Sequence, residues 1–234
     1  MGKKYILLLI LLFPNTLLLS GQQANTSTYG VSYISEMAAF RKTVATDSLK
    51  RMVELKRLVS ELVYDFRYAT PFNFTGKRLY PVGTDITFLR LLPALALQKI
   101  TDELRKEQLG LKIFDAYRPY SVSIAFWKLI GDERYVAHPS KASNHNRGLA
   151  IDLTLIDLRT NQEMNMGTGF DHFSDTAHHS FRQLPVTVTE NRLKLKTVME
   201  KYGFRSLETE WWHFSWPNDR NYEVLNIPFP KLLH

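Results

Sequence analysis

Two short stretches of this chain bring together side chains that can do chemistry. The first is Ser143-Asn144-His145-Asn146-Arg147-Gly148-Leu149-Ala150-Ile151-Asp152; the second, further along, is Glu210-Trp211-Trp212-His213. They offer two imidazoles, one carboxylate, and a second carboxylate three residues before the last imidazole. That set suits a catalytic zinc: His145, Asp152 and His213 as three protein ligands, an open position for water, and a base nearby. A fourth protein ligand would close the site and make it structural, so Glu210 is assigned the role of base.

The spacing constrains the elements that carry these groups. Zinc donors must converge on a point roughly 2 Å from each. On one helix His145 and Asp152 would lie two turns, roughly 10 Å, apart. The chain must therefore bend between them. Gly148 supplies the bend, and residues 149–155 read as a strand that aims Asp152 at the ion. The aromatic density of Glu-Trp-Trp-His-Phe-Ser-Trp argues for a second strand carrying His213. Around these, the pattern predicts helices over residues 36–53, 89–108, 120–129 and 188–202. In the second, Leu92, Leu95, Ala96, Ile100 and Leu104 share a face and Gly110 ends it. Pro119 opens the third, and Gly203 closes the fourth. A strand is expected over 111–116 and further strands from Phe204 to His213. Residues 23–35 are polar and read as loose. No regular βαβ rhythm emerges. The expectation is one α+β domain, an antiparallel-rich central sheet with helices packed on it.

The joint pattern Ser-x-His-x-x-Gly-x-Ala-x-Asp followed by Glu-x-x-His resembles the zinc D,D-peptidases of the LAS type, most closely the D-alanyl-D-alanine dipeptidases of the VanX type. Three more stretches resemble motifs of that family. Asp65-Phe66-Arg67-Tyr68-Ala69-Thr70 with Asn73-Phe74-Thr75-Gly76 is similar to its N-terminal signature, Asp115-Ala116-Tyr117-Arg118-Pro119 to its arginine motif, and Met166-Gly167-Thr168-Gly169-Phe170-Asp171 to its substrate loop. The likeness runs from about residue 55 to about residue 228 in the family's order. It implies a Hedgehog/D,D-peptidase-like fold, one zinc ion per chain, and a small dipeptide as substrate.

Further roles follow from chemical need and from the resemblance. Peptide hydrolysis creates an oxyanion that a cation stabilises; Arg118 matches the family's transition-state arginine. A buried substrate ammonium needs a partner, and Asp171 matches the family's amine-binding aspartate. Ser143 is a candidate at the same end of the substrate, or a simple loop cap. Asp115 is expected to orient Arg118 or a metal ligand from behind. Tyr68 and Arg67 are candidates to line the pocket, with packing the simpler role for Tyr68. Trp211 and Trp212 read as walls and core. Two rival functions share the same residues. One is a D,D-carboxypeptidase or endopeptidase acting on larger peptidoglycan stems, which an open groove would favour. The other is a non-catalytic zinc-containing module that binds cell-wall peptides, which has no need of Glu210. The donor set also accepts cobalt and other divalent ions.

Composition supplies a compartment. Lys3 and Lys4 precede the apolar run Tyr5–Phe13, followed by Pro14, Asn15 and Thr16. The run is too short to span a bilayer and reads as a secretory signal peptide over residues 1–22, cleaved near Ser20 to Gln22. Residues 23–54 are then an N-terminal extension, partly helical, and 55–234 the catalytic domain, exported to the periplasm or outside the cell, with no stable membrane insertion. There is no cysteine, which excludes disulfides, thiol nucleophiles and a lipid-modified N-terminal cysteine. The formal charge of +7 is scattered, with no run of five basic residues, so nucleic-acid binding is not expected.

Overall fold

The computed structural model describes residues 25–133 and 136–233. The signal-peptide reading of residues 1–22 lies outside them. Among the described residues no helix is long and apolar enough to cross a membrane.

The chain starts with strands β1 (Asn25–Thr26) and β2 (Ser32–Ile34), helix α1 (Met37–Thr46), strand β3 (Met52–Glu54), the short helix α2 (Leu55–Leu58) and strand β4 (Val63–Tyr64). Then come β5 (Phe88–Arg90), α3 (Leu91–Arg105), β6 (Leu109–Asp115), α4 (Tyr120–Ile130), β7 (Ala150–Asp157) and β8 (Gln162–Glu163). The last elements are α5 (Val186–Lys201), β9 (Arg205–Leu207), β10 (Glu210–Ser215) and β11 (Val224–Leu225). The central sheet has the order β4-β6-β7-β10-β9, with β8 paired to β7. Only the β4–β6 pairing within it is parallel. This is the α+β, antiparallel-rich architecture expected from the sequence.

The middle strands are buried on both faces: every residue of β7 but Asp157, and every residue of β6 but Lys112. Leu97, Ile100 and Leu104 of α3 and Leu195, Val198 and Met199 of α5 share one core with Leu111, Ile113, Leu153 and Leu155 of the sheet. Apolar burial on this scale, roughly 25 cal/mol per Å² removed from water, is what fixes the sheet's register.

Three elements depart from the expectation. The helix predicted over 36–53 stops at Thr46. Asp47 accepts a hydrogen bond from the Leu49 amide and starts a 3-10 turn, and Met52–Glu54 then pairs antiparallel with Phe88–Arg90. The same pairing makes Leu89 a strand residue, so α3 begins at Leu91, with Pro93 tolerated in its first turn. Gly110 does not end that helix. It lies inside β6, where a Cβ would come within 2.6 Å of the Leu158 side chain. Residues 25–34 are not loose either: β1 pairs with β2, and β2 runs parallel to β11. Ile34 and Phe40 pack with Leu225, Ile227 and Phe229 in a second core.

Candidate metal centre and active-site cavity

The sheet sets up the site by register. Asp152 of β7 lies directly opposite His213 of β10 on one side and Asp115 of β6 on the other. Opposed residues in antiparallel strands present their side chains on the same face, so these three form a row across the sheet. His145 joins from a 3-10 turn, Asn144–Arg147, that ends at Gly148 with φ +69. A side chain there is disfavoured twice over, by the left-handed backbone and by Met52, whose side chain would lie 2.7 Å from a Cβ.

The donor atoms form a small triangle. His213 Nδ1 is 2.9 Å from Asp152 Oδ1 and 3.2 Å from His145 Nε2, and His145 Nε2 is 3.4 Å from Asp152 Oδ2. Donors held at zinc's usual bond lengths stand about 3.3 Å apart along a tetrahedron's edge. The three thus fit one face of such a tetrahedron, and they are the group among the described residues able to hold a metal. The other nitrogen of His145 is also engaged: Nδ1 donates to the Ala116 carbonyl at 2.6 Å, which turns Nε2 towards the centre as an acceptor. Burial alone would raise the Asp152 carboxyl, but the two imidazoles hold it below the ordinary carboxylate range. Burial disfavours a charged His213, yet its bond to Asp152 raises it above the usual imidazole value.

Glu210 and His213 are three apart, which in a regular strand would put them on opposite faces. The β9–β10 pairing shifts register between Glu210 and Phe214, and this irregularity lets both side chains face one cavity. Burial pushes the Glu210 carboxyl above its ordinary value. Arg118 lies beside this triangle, with Nη2 3.9 Å from Asp152 Oδ2. Asp115 fixes it by accepting from Nε at 2.9 Å and Nη2 at 2.7 Å, while Phe126 lies 4.6 Å below its guanidinium. Asp115 therefore orients Arg118. Its 3.8 Å separation from His145 Nδ1 is too long for a hydrogen bond.

The cavity holds about 230 Å³ and is lined by Glu210, His213, Asp152, His145, Arg118, Tyr68 and Ser143, with apolar walls from Phe74, Phe126 and Phe173. Ser143 caps the 3-10 turn by accepting from the His145 amide at 3.2 Å, so it both caps and lines. The Tyr68 hydroxyl donates to Asp171 at 3.0 Å and 3.2 Å. Asp171 is not itself a lining residue; it stands one hydrogen bond back from the wall. Burial, with the Asp152 charge second, pushes its carboxyl well above the ordinary range. Arg67 does not line the cavity. It pairs with Asp65 at 2.7 Å. Trp211 and Trp212 are buried in the core.

Three supporting residues give no sequence signal of their own, because their partners are distant. Buried Asn146 donates to the Arg118 carbonyl and to Ser123 Oγ, both at 2.8 Å, and accepts from the Ser143 amide. Tyr80 donates to Asp115 at 2.6 Å. Arg192 of α5 donates to the carbonyls of Met166, Thr176 and His178, which tie down the loop carrying Asp171.

Fold and site place this chain among the metallopeptidases, and comparison with known proteins agrees. Residues 48–232 match the model of the peptidase M15 family, described as D-Ala-D-Ala dipeptidase; the chain belongs to that family. It is 35% identical over 178 residues to a D-alanyl-D-alanine dipeptidase of Escherichia coli, covering 76% of this chain and 91% of that protein. It is 29% identical over 194 residues to one of Enterococcus faecalis, covering 75% and 92%. Among solved structures it resembles the D,D-pentapeptidase VanY in complex with Zn(II), at 16% identity over 64% of this chain and 86% of that one, with a TM-score of 0.36.

Proposed function

We propose that this chain is a zinc-dependent dipeptidase that hydrolyses D-alanyl-D-alanine, or a close D,D-dipeptide, to free amino acids. The observation that carries this is the His145–Asp152–His213 triangle on the wall of a 230 Å³ cavity that also presents Glu210 and Arg118. The volume lies below the 300–1,000 Å³ common for drug-sized ligands and suits a dipeptide better than a peptidoglycan stem. The naming of the relatives points to the same substrate.

His145, Asp152 and His213 would hold the ion. When bound, zinc polarises the scissile carbonyl and makes water nucleophilic near neutral pH. Glu210, unencumbered by a salt bridge among the described residues, takes the water's proton and passes it to the leaving amine; its burial raises its basicity for that task. Arg118, pre-set by Asp115, meets the developing oxyanion. The substrate ammonium would meet Tyr68 on the wall, with the Asp171 carboxylate one hydrogen bond behind it as the countercharge. A buried carboxyl pushed towards neutrality regains its charge when a cation pairs with it, which makes binding selective for a free amine. The signal-peptide pattern supports an exported enzyme. From outside the cytoplasm it cannot deplete a cytoplasmic precursor pool, so its role is turnover or nutritional use of wall peptides.

The test is a comparison of D-Ala-D-Ala with its N-acetyl form. Acetylation removes the cation that pairs with Asp171, a loss of about 2–5 kcal/mol or about 30-fold to several thousand-fold in kcat/KM. Comparable rates on the two would refute the dipeptidase reading and favour a carboxypeptidase.

A further inference from the structure

The cavity has a stretch of wall that the proposed catalytic residues do not account for. Near the metal centre its charges are carboxylates, Asp152 and Glu210, with Asp171 just behind. With Arg118 and a bound metal assigned to the scissile carbonyl, the dipeptide's own carboxylate needs a partner elsewhere on the wall. The basic side chains lining the cavity are Arg118, His138, His145 and His213. Two of these are the proposed metal ligands, and Arg118, held by Asp115, is taken by the oxyanion at the scissile carbon. His138 is left, on the wall formed by Val136, Pro139, Ala142 and Ser143.

His138 is held as a donor. The Ser140 amide donates to its Nδ1 at 3.3 Å, and Ser140 Oγ lies 2.8 Å from the same atom. With Nδ1 accepting, the neutral ring carries its proton on Nε2, and no hydrogen bond among the described residues takes up that N–H. Two aromatic edges clamp the ring: Trp127 with centroids 4.7 Å away, and Tyr29 at 5.6 Å. Tyr29 lies in the turn joining β1 to β2, ahead of the family match that starts at residue 48. That segment is anchored to the same wall. Ser27 Oγ lies 3.1 Å from the Tyr120 hydroxyl, which in turn donates to the Pro139 carbonyl at 3.0 Å.

We propose that His138 binds the free carboxylate of the substrate's C-terminal residue, and that the N-terminal segment holds it there through Tyr29. The inference rests on the dipeptidase reading and completes it: Asp171 selects a free amine at one end, and His138 selects a free carboxylate at the other. The cavity then measures a dipeptide from both ends.

The experiment compares D-Ala-D-Ala with its C-terminal amide in the wild type, His138→Ala, His138→Gln and Tyr29→Ala. Hydrogen bonds to charged groups are worth about 1.5–3 kcal/mol, so His138→Ala should raise the KM for the acid about 10- to 100-fold. Its kcat should stay within about threefold, and the amide should be affected less than threefold. His138→Gln retains an N–H donor and should recover most of the loss, and Tyr29→Ala should raise the KM for the acid alone. Equal losses on acid and amide, or none on either, would overturn the proposal. Binding is read separately by calorimetry of D-Ala-D-Ala on Glu210→Gln with and without His138→Ala. If the wild type binds but does not cleave the dipeptide, the dipeptidase reading fails. In that case a tenfold loss of binding on His138→Ala still supports His138, and unchanged binding overturns it. Absence of binding to either protein overturns both.

Discussion

Replacing Arg192 with methionine removes the brace behind the proposed amine site without touching the cavity. Arg192 is 4% exposed and has no carboxylate partner among the described residues; burial lowers its pKa to about 10. Its guanidinium instead satisfies three carbonyls: Met166 at 2.7 Å, Thr176 at 2.9 Å and His178 at 3.2 Å. The first bond is buried and the other two partly so. Orphaning the Met166 carbonyl costs about 1–3 kcal/mol, and the other two, which water can reach, about 0.5–1 kcal/mol each. Relief of the buried charge offsets a part, leaving roughly 2–3 kcal/mol of lost stability. That is tolerable against the usual 5–15 kcal/mol. The three carbonyls flank Asp171, so the loop that loosens is the one that presents it. Urea unfolding should show the lost stability, and kinetics on D-Ala-D-Ala should show a KM raised about tenfold with kcat within about threefold. Arg192→Lys keeps a charge but cannot reach three carbonyls, so it should fall between. A loss confined to kcat, with KM unchanged, would refute the link from Arg192 to Asp171.

Glu210→Gln should retain stoichiometric metal while kcat falls by about 10²- to 10⁴-fold; loss of metal would place Glu210 among the ligands. Asp171→Ala should slow cleavage of D-Ala-D-Ala and narrow its advantage over the N-acetylated dipeptide; an undiminished advantage would remove Asp171 from the amine site. His179 makes an acid-sensitive point. Its Nε2 is buried without a partner among the described residues, and burial, aided by Lys196, lowers its pKa to about 4. The unfolded chain takes the proton near pH 6.5 and the folded chain resists it, so stability present above pH 6.5 is lost as pH falls towards 4. Discounted for the ring's partial exposure, the loss is on the order of 1–2 kcal/mol, and it should vanish in His179→Gln when unfolding midpoints are compared between pH 7 and 4.

The convergence of the candidate residues was legible because they are local and chemically unusual. His145 and Asp152 lie in one bend-and-strand stretch, and Glu210 and His213 in one short strand. Their pairing across β7 and β10 needed only the antiparallel sheet that the sequence already implied. What escaped depended on partners far along the chain. Leu89 became a strand residue because it pairs with Val53, and Gly110 entered a strand because Leu158 packs against it. Asn146, Tyr80 and Arg192 act on main-chain carbonyls or carboxylates 28, 35 and up to 26 residues away, and no periodicity marks such contacts. His138 carried no motif, and only its cavity position and its clamp by Tyr29 single it out.

The central claim is that His145, Asp152 and His213 hold the metal on which hydrolysis depends. The direct measurement is metal content alongside D-alanine release from D-Ala-D-Ala, for the wild type as purified, after chelation, and after zinc is restored, and for His145→Ala, Asp152→Ala and His213→Ala. The expected result is one zinc per chain with activity, loss of both on chelation, recovery of both with zinc, and loss of both in each variant. A chelated wild type that still releases D-alanine, or a ligand variant that keeps stoichiometric zinc and near-normal turnover, would contradict it.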